Sequence, residues 1–150
     1  GQIKAVGIIA SLPTGDEDIG FGESTTLGPE FLFGQITKES IFGIFPNHQW
    51  DIGGNKDVSL TTIQGFAFAL PGKGLSYGSS PIMTYDHVEN DWTIPLNATI
   101  TQTLMLGGRP WKFSFELNYY VEQPDAFGPE WMIGFNITPV VENSLANWFK

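Results

Sequence analysis

The chain has 150 residues, a formal net charge of −9 and no cysteine. That length gives one domain spanning 1–150, enough for a sizeable core or for about eight membrane-crossing strands of the ~9–11 residues that a tilted strand needs. The negative charge argues against nucleic acid as a partner, because phosphate is repelled. The lack of cysteine excludes disulfides and thiolate metal sites, which is compatible with a bacterial envelope protein.

No apolar run approaches the ~18 residues of a membrane helix. The mean hydropathy of −0.04 is no objection to membrane residence, because barrels hide their hydrophobicity in alternation. The chain opens at Gly1 with neither an initiator Met nor a signal segment, so a mature or truncated form is expected.

Alternation predicts eight strands, at 3–13, 25–35, 40–51, 58–70, 75–86, 92–105, 110–121 and 131–140. The only helical period is a weak one from Glu142 onward. The last three strands carry the clearest code. Trp111, Phe113, Phe115, Leu117, Tyr119 and Val121 alternate with Lys112, Ser114, Glu116, Asn118 and Tyr120. Before them, Trp92, Ile94, Leu96, Ala98 and Ile100 alternate with Thr93, Pro95, Asn97, Thr99 and Thr101, and after them Trp131, Ile133, Phe135 and Ile137 alternate with Met132, Gly134, Asn136 and Thr138. A period of two puts successive side chains on opposite sides of a pleat.

The connections alternate in length. Those at Thr14 to Ser24, Ile52 to Asp57, His87 to Asp91 and Glu122 to Glu130 are long, whereas those at Ile36 to Glu39, Pro71 to Gly74 and Leu106 to Arg109 are short. An up-and-down meander gathers each set at one end, and long outer loops with short periplasmic turns are the outer-membrane habit. Twelve of the sixteen acids fall at the long-loop end, where Lys56 is the single base. Trp50, Trp92 and Trp131 sit where strands meet that end, Trp111 where a strand leaves a short turn, and Trp148 in the tail. Such aromatic rings favour the headgroup level of a bilayer. Pro29, Pro46, Pro81 and Pro95 each remove a ladder donor and should mark bulges or strand ends.

A soluble barrel turns its apolar face inward, whereas an outer-membrane barrel turns it to lipid. A polar face of threonine, asparagine and a few charges is unlike a lysine- and glutamate-rich soluble surface, so the membrane arrangement is the expectation. It makes Glu30, Asn97, Lys112, Glu116, Asn118 and Tyr120 lumen-facing, and Trp92, Trp111, Phe113, Phe115, Trp131 and Phe135 lipid-facing. Outer-membrane lipid is then the partner and a small solute the cargo. Lys112 and Glu116 lie roughly 13 Å apart at ~3.3 Å per residue, too far to pair, so each should find a mate across strands, with Glu30 or Asp86 as candidates. The alternatives are a soluble eight-stranded barrel that holds a hydrophobic ligand and a structural envelope subunit that packs against its own copies.

Catalytic chemistry finds no support. His48 and His87 have no partner at metal-ligand spacing, and His48 shares a face with Trp50 as an interfacial side chain would. The acidic run Asp16–Glu17–Asp18 offers hard oxygens to Ca²⁺ but lacks the EF-hand pattern and reads as a solvated loop. Asn97-Ala-Thr99 and Asn136-Ile-Thr138 match the glycosylation acceptor yet fall mid-strand. No enzyme activity, metal or cofactor is expected.

The segments Asp91-Trp-Thr-Ile-Pro-Leu, Leu106-Gly-Gly-Arg-Pro, Leu117-Asn-Tyr-Tyr-Val-Glu-Gln-Pro-Asp and Pro129-Glu-Trp carry a family likeness. With Leu27-Gly-Pro, Asn47-His-Gln-Trp and Ser79-Ser-Pro upstream in the same order, the chain resembles, over roughly residues 5 to 140, the bacterial outer-membrane barrels of the meta-pathway phenol-degradation and outer-membrane transporter family. The resemblance implies an all-β antiparallel transmembrane barrel, or the C-terminal part of a larger one. It also implies a bacterial outer-membrane location and passive passage of small, hydrophobic or aromatic compounds. Two departures bear on closure and pore size. Family members usually carry further strands upstream, and here the last strand runs on into Val140 to Lys150 instead of ending near an aromatic.

Overall fold

A computed structural model describes residues 1–13, 24–124 and 128–141. The acidic run at 16–18, the tail from Glu142 and Trp148 lie outside the described residues. The fold is all-β: β1 (Gln2–Ser11), β2 (Ser24–Ile36), β3 (Ser40–Gly54), β4 (Ser59–Gly72), β5 (Leu75–Ser79), β6 (Ile82–Asp86), β7 (Asp91–Leu106), β8 (Arg109–Glu122) and β9 (Trp131–Pro139). Every pairing is antiparallel and joins sequence neighbours, except that β5 and β6 both lie between β4 and β7. They are two segments of the strand expected at 75–86, parted at Ser80–Pro81. Among the described residues, pairing closes on itself only in the circuit β4-β5-β7-β6. β1 and β9 are the sheet's two ends and are not in contact with each other.

The short connections are tight for reasons visible in the backbone. Lys73 and Gly74 both have positive φ, 53° and 75°, and so do Gly107 and Gly108, 58° and 78°. Two such residues in a row make the hairpin turn whose twist matches that of its flanking strands. At the third short turn the Thr37 hydroxyl accepts the Ser40 N–H at 2.9 Å. These turns fix register. The Gly107–Gly108 hairpin sets Leu104 opposite Trp111, Ile100 opposite Phe115 and Asn97 opposite Asn118.

The prolines act as their chemistry requires. Pro81 parts β5 from β6, and Pro95 sits at a register shift in β7. Pro29 and Pro46 lie inside β2 and β3, where ladder partners thin out on either side of the Glu30–Asn47 pair. Each replaces a donor, so the ladder skips there instead of the strand ending.

Register sorts the whole sheet into two faces. One carries Val6, Phe31, Phe33, Phe42, Ile44, Trp50, Trp92, Leu96, Ile100, Phe115, Ile133 and Phe135, and these side chains are exposed. The opposite face carries Glu30, Asn97, Lys112, Glu116, Asn118 and Asn136. Side chains from β3 through β9 on this second face line one common hollow, so the sheet curls toward it and the apolar face is convex. No large apolar side chain among the described residues is buried; Thr26, Thr101 and Asn118 are the buried polar ones.

Glycines on the concave side make room for larger neighbours. A Cβ on Gly43 would meet the Phe33 carbonyl oxygen and the Phe66 ring, because Phe66 lies across Gly34 and Gly43. Gly43→Val is expected to destabilise the fold by ~1–3 kcal/mol through overpacking, read as a lower urea midpoint at unchanged m-value.

Candidate functional site

The concave hollow has a volume of about 520 Å³. One wall comes from β7, β8 and β9 and is polar throughout: Thr99, Thr101, Lys112, Ser114, Glu116, Asn136 and Thr138. It is polar because the residues between the convex aromatics are threonine, serine and asparagine, in ladders where Ser114 stands between Thr101 and Asn136, and Lys112 between Thr103 and Thr138. The Thr101 and Ser114 hydroxyls bond each other at 2.9 Å. The facing wall is mixed, with Ile41, Phe68, Leu70 and Ile82 beside Gln64, Ser76 and Ser80.

Asn97 is the hub of the polar wall. Its Nδ2 donates to Glu116 Oε1 at 2.9 Å and to Asn118 Oδ1 at 2.8 Å, and Asn118 Nδ2 donates to the same carboxylate oxygen at 2.9 Å. Its Oδ1 accepts the Ser80 N–H at 2.6 Å, and its backbone carbonyl accepts the Ser79 hydroxyl, also at 2.6 Å. From the other side, Gln64 Nε2 donates to Ser80 Oγ at 2.8 Å, and the Gly65 N–H donates to the Pro81 carbonyl at 3.2 Å. The gap that Pro81 opens between β5 and β6 is therefore bridged by side chains. Backbone groups freed by the break keep partners, as groups away from water must.

Of the residues expected on the polar side, Asn97, Glu116 and Asn118 come together, and Lys112 lines the same hollow. Tyr120 shares their face by alternation, opposite Pro95. Glu30 is on the concave face too, but in β2, where it lies over Gly7 away from the hollow. Glu116 does find a partner across strands, the Asn97 amide, but Glu30 and Asp86 are corrected as mates: among the described residues neither meets Glu116 or Lys112. Asp86 instead ends β6, where Oδ1 accepts the Val88 and Glu89 N–H groups at 2.8 and 3.2 Å and so shapes the turn.

The six expected apolar positions, Trp92, Trp111, Phe113, Phe115, Trp131 and Phe135, share the convex face. Near the long-loop end that face carries a row of rings. Centroids lie 4.8 Å apart for Tyr85–Trp92, 4.6 Å for Tyr119–Trp131 and 4.3 Å for His48–Trp50. Sequence spacing gave no hint that His48 and His87 meet. Thr61, between them on β4, has its hydroxyl 2.7 Å from His48 Nδ1 and 2.8 Å from His87 Nε2. One hydroxyl hydrogen serves one imidazole as donor, so the other ring must present its own N–H. No group of three or more metal-binding side chains occurs among the described residues.

An antiparallel meander with an apolar convex face and a concave hollow that has one polar, hydrogen-bonded wall and one mixed wall is the class of structure that fold and site define. Comparison with protein-family models, with curated proteins and with solved structures finds no match.

Because the Asn97 side chain serves Glu116, Asn118, Ser80 and Thr99 at once, Asn97→Ala is expected to lower stability by ~1–3 kcal/mol. Asn97→Asp should lower it further, since it removes both donors and sets a second carboxylate beside Glu116. Denaturant midpoints of the two variants against the parent measure the order; an Asp variant as stable as the parent would refute the hub role.

Proposed function

We propose that the chain is the wall of an outer-membrane β-barrel, with its convex face against lipid and its concave face lining a path for small solutes. The observation that carries this reading is the inverted sidedness of the sheet. Phe115, Phe135, Ile133 and Val6 are 46, 64, 68 and 75 % exposed on a face that is apolar across the strands. Soluble proteins rarely expose so contiguous an apolar surface, and a soluble ligand-holding barrel would turn it inward. The ring row of Trp50, Tyr85, Trp92, Tyr119 and Trp131 matches the girdle that such barrels place at the headgroup level.

Charge gives the direction. Lys38, Lys73 and Arg109 lie at the short-turn end, which becomes periplasmic, and Asp51, Asp57, Asp86, Glu89 and Asp91 lie at the outer, long-loop end. Passage of small hydrophobic or aromatic compounds is the role that the family resemblance implies. The outer edges of β1 and β9, unpaired among the described residues, favour a second reading, a subunit that pairs with its own copies in the envelope. Molecular mass in detergent separates the two, with a monomer expected for the first.

Phe115 stands mid-strand between Ile100 and Phe135. Phe115→Arg is expected to cost ~2–4 kcal/mol in membrane assembly, the value for a cation on the lipid face near the midplane, and Phe115→Leu to be tolerated. Outer-membrane fractionation and heat-modifiable electrophoretic mobility measure both. Normal assembly of the Arg variant, or parent protein that stays soluble and monomeric without detergent, would overturn the membrane reading. Reconstitution into planar bilayers tests passage: stable conductance is expected, and silence from well-folded protein would leave only a structural role.

A further inference from the structure

We infer that the concave hollow binds a small amphiphile with one carboxylate, its acid on Lys112 and its apolar body on Ile41, Phe68, Leu70 and Ile82. About 520 Å³ is a volume that suits a small-molecule ligand. The hollow is two-sided in chemistry, with hydroxyls and amides on β7, β8 and β9 facing four large apolar side chains on β3, β4 and β6. Such a wall pair orients an elongated molecule that is polar along one side only. It offers an uncharged polar solute no use for the apolar wall and a hydrocarbon no use for the hydroxyls.

The sign of the head group follows from the charges in the hollow. Lys112 is the one cation lining it, and it enters no hydrogen bond or ion pair among the described residues. Glu116, the one anion lining it, already accepts two amide N–H groups on Oε1. Along β8 the backbone positions of these two residues are roughly 13 Å apart at ~3.3 Å per residue, and the two side chains form no ion pair among the described residues. An anion on Lys112 is therefore clear of the carboxylate, with the Thr103 and Thr138 positions on either side of it. The surroundings agree. Lys112 lies toward the short-turn end, where Lys73 and Arg109 also lie, whereas the acidic connections are at the far end of the strands. A carboxylate approaching from the short-turn end meets these positive charges before the acidic connections.

This inference goes beyond a passive path by naming what dwells in it, and it does not depend on what meets the convex face. Its test uses the full chain in a nonionic detergent, or in plain buffer should the protein prove stable there, so the fate of the membrane reading is recorded separately from the result. Cyclohexanecarboxylate, cyclohexylmethanol and cyclohexylmethylammonium share one apolar body and differ in head charge. Calorimetric titration is expected to rank the carboxylate at least about tenfold tighter than the alcohol, equivalent to ~1.4 kcal/mol, and the ammonium weakest. The margin should shrink as salt screens the pair. In Lys112→Gln the margin between acid and alcohol should vanish, and Lys112→Arg should restore it. Phe68→Asn should weaken all three compounds alike. Equal binding of acid and alcohol by the parent protein, binding of none of the three, or a preference that survives in a folded Lys112→Gln variant would each overturn the proposal.

Discussion

The constraint on which everything else depends is that this sheet offers no interior to the apolar side chains of its convex face. Burying a Phe, Leu or Ile contributes about 1.5–3 kcal/mol, and the convex residues realise little of it within the chain, since no large apolar side chain among the described residues is buried. What holds the chain in shape is the ladder of antiparallel backbone bonds, pinned by tight turns, with cross-strand pairs such as Ile100–Phe115–Phe135 adding a few tenths of a kcal/mol to about 1 kcal/mol each. A fold in that condition reaches full stability only when something apolar covers the convex face. A bilayer does this over every strand at once, and a bilayer also strengthens the ladder, because unpaired backbone groups have no water to turn to.

The concave side answers the opposite demand. Polar groups turned toward a narrow interior must satisfy one another, and Asn97 does so by using both of its amide hydrogens and both of its oxygens. A network is worth most when complete and is costly when half made. The break at Pro81 and the asparagine cluster are thus one device: the proline removes a ladder donor, Ser80 turns its N–H to Asn97, and Asn97 reaches on to Glu116. The arrangement is less complete near Pro29 and Pro46, where Asn47 Oδ1 is shut from solvent without a partner.

Most of the strand layout was legible from residue order, because a period of two is set by the chain itself and needs no knowledge of neighbours. The faces of Phe115, Glu116 and Asn118 followed directly. Partners were not legible. Asn97 meets Asn118 only because the Gly107–Gly108 hairpin fixes that register, and Glu30, equally polar and equally on the concave side, is held apart by sitting in β2 over Gly7. The single strand expected at 75–86 became two because alternation runs unchanged through the break; Pro81 gave the signal, and where its neighbours' backbone groups would turn depended on β4 and β7. His48 and His87 come together through Thr61 on an intervening strand, a relation that no spacing in the chain encodes.

Magnitudes also bear on the outer edges of β1 and β9, unpaired among the described residues. β1 ascends from the short-turn end and β9 descends to it, so they are antiparallel to each other and of matching length, 10 and 9 residues. Each carries a concave glycine beneath a neighbour's glutamate: Gly7 leaves room for Glu30, and Gly134 stands opposite Glu116. Were the edges joined, Glu30 and Glu116 would lie on the strands flanking the seam, about three strand spacings or ~14 Å apart. At that distance two charges repel by ~1 kcal/mol with an effective dielectric of 20, and by ~0.3 kcal/mol in water. Leaving an edge unpaired in hydrocarbon costs several kcal/mol for every orphaned group. Repulsion between the carboxylates is too small to keep the seam open in a bilayer, whereas in water both edges are hydrated and neither term compels closure. Lipid is then the medium in which an eight-position meander of this pattern gains most by closing.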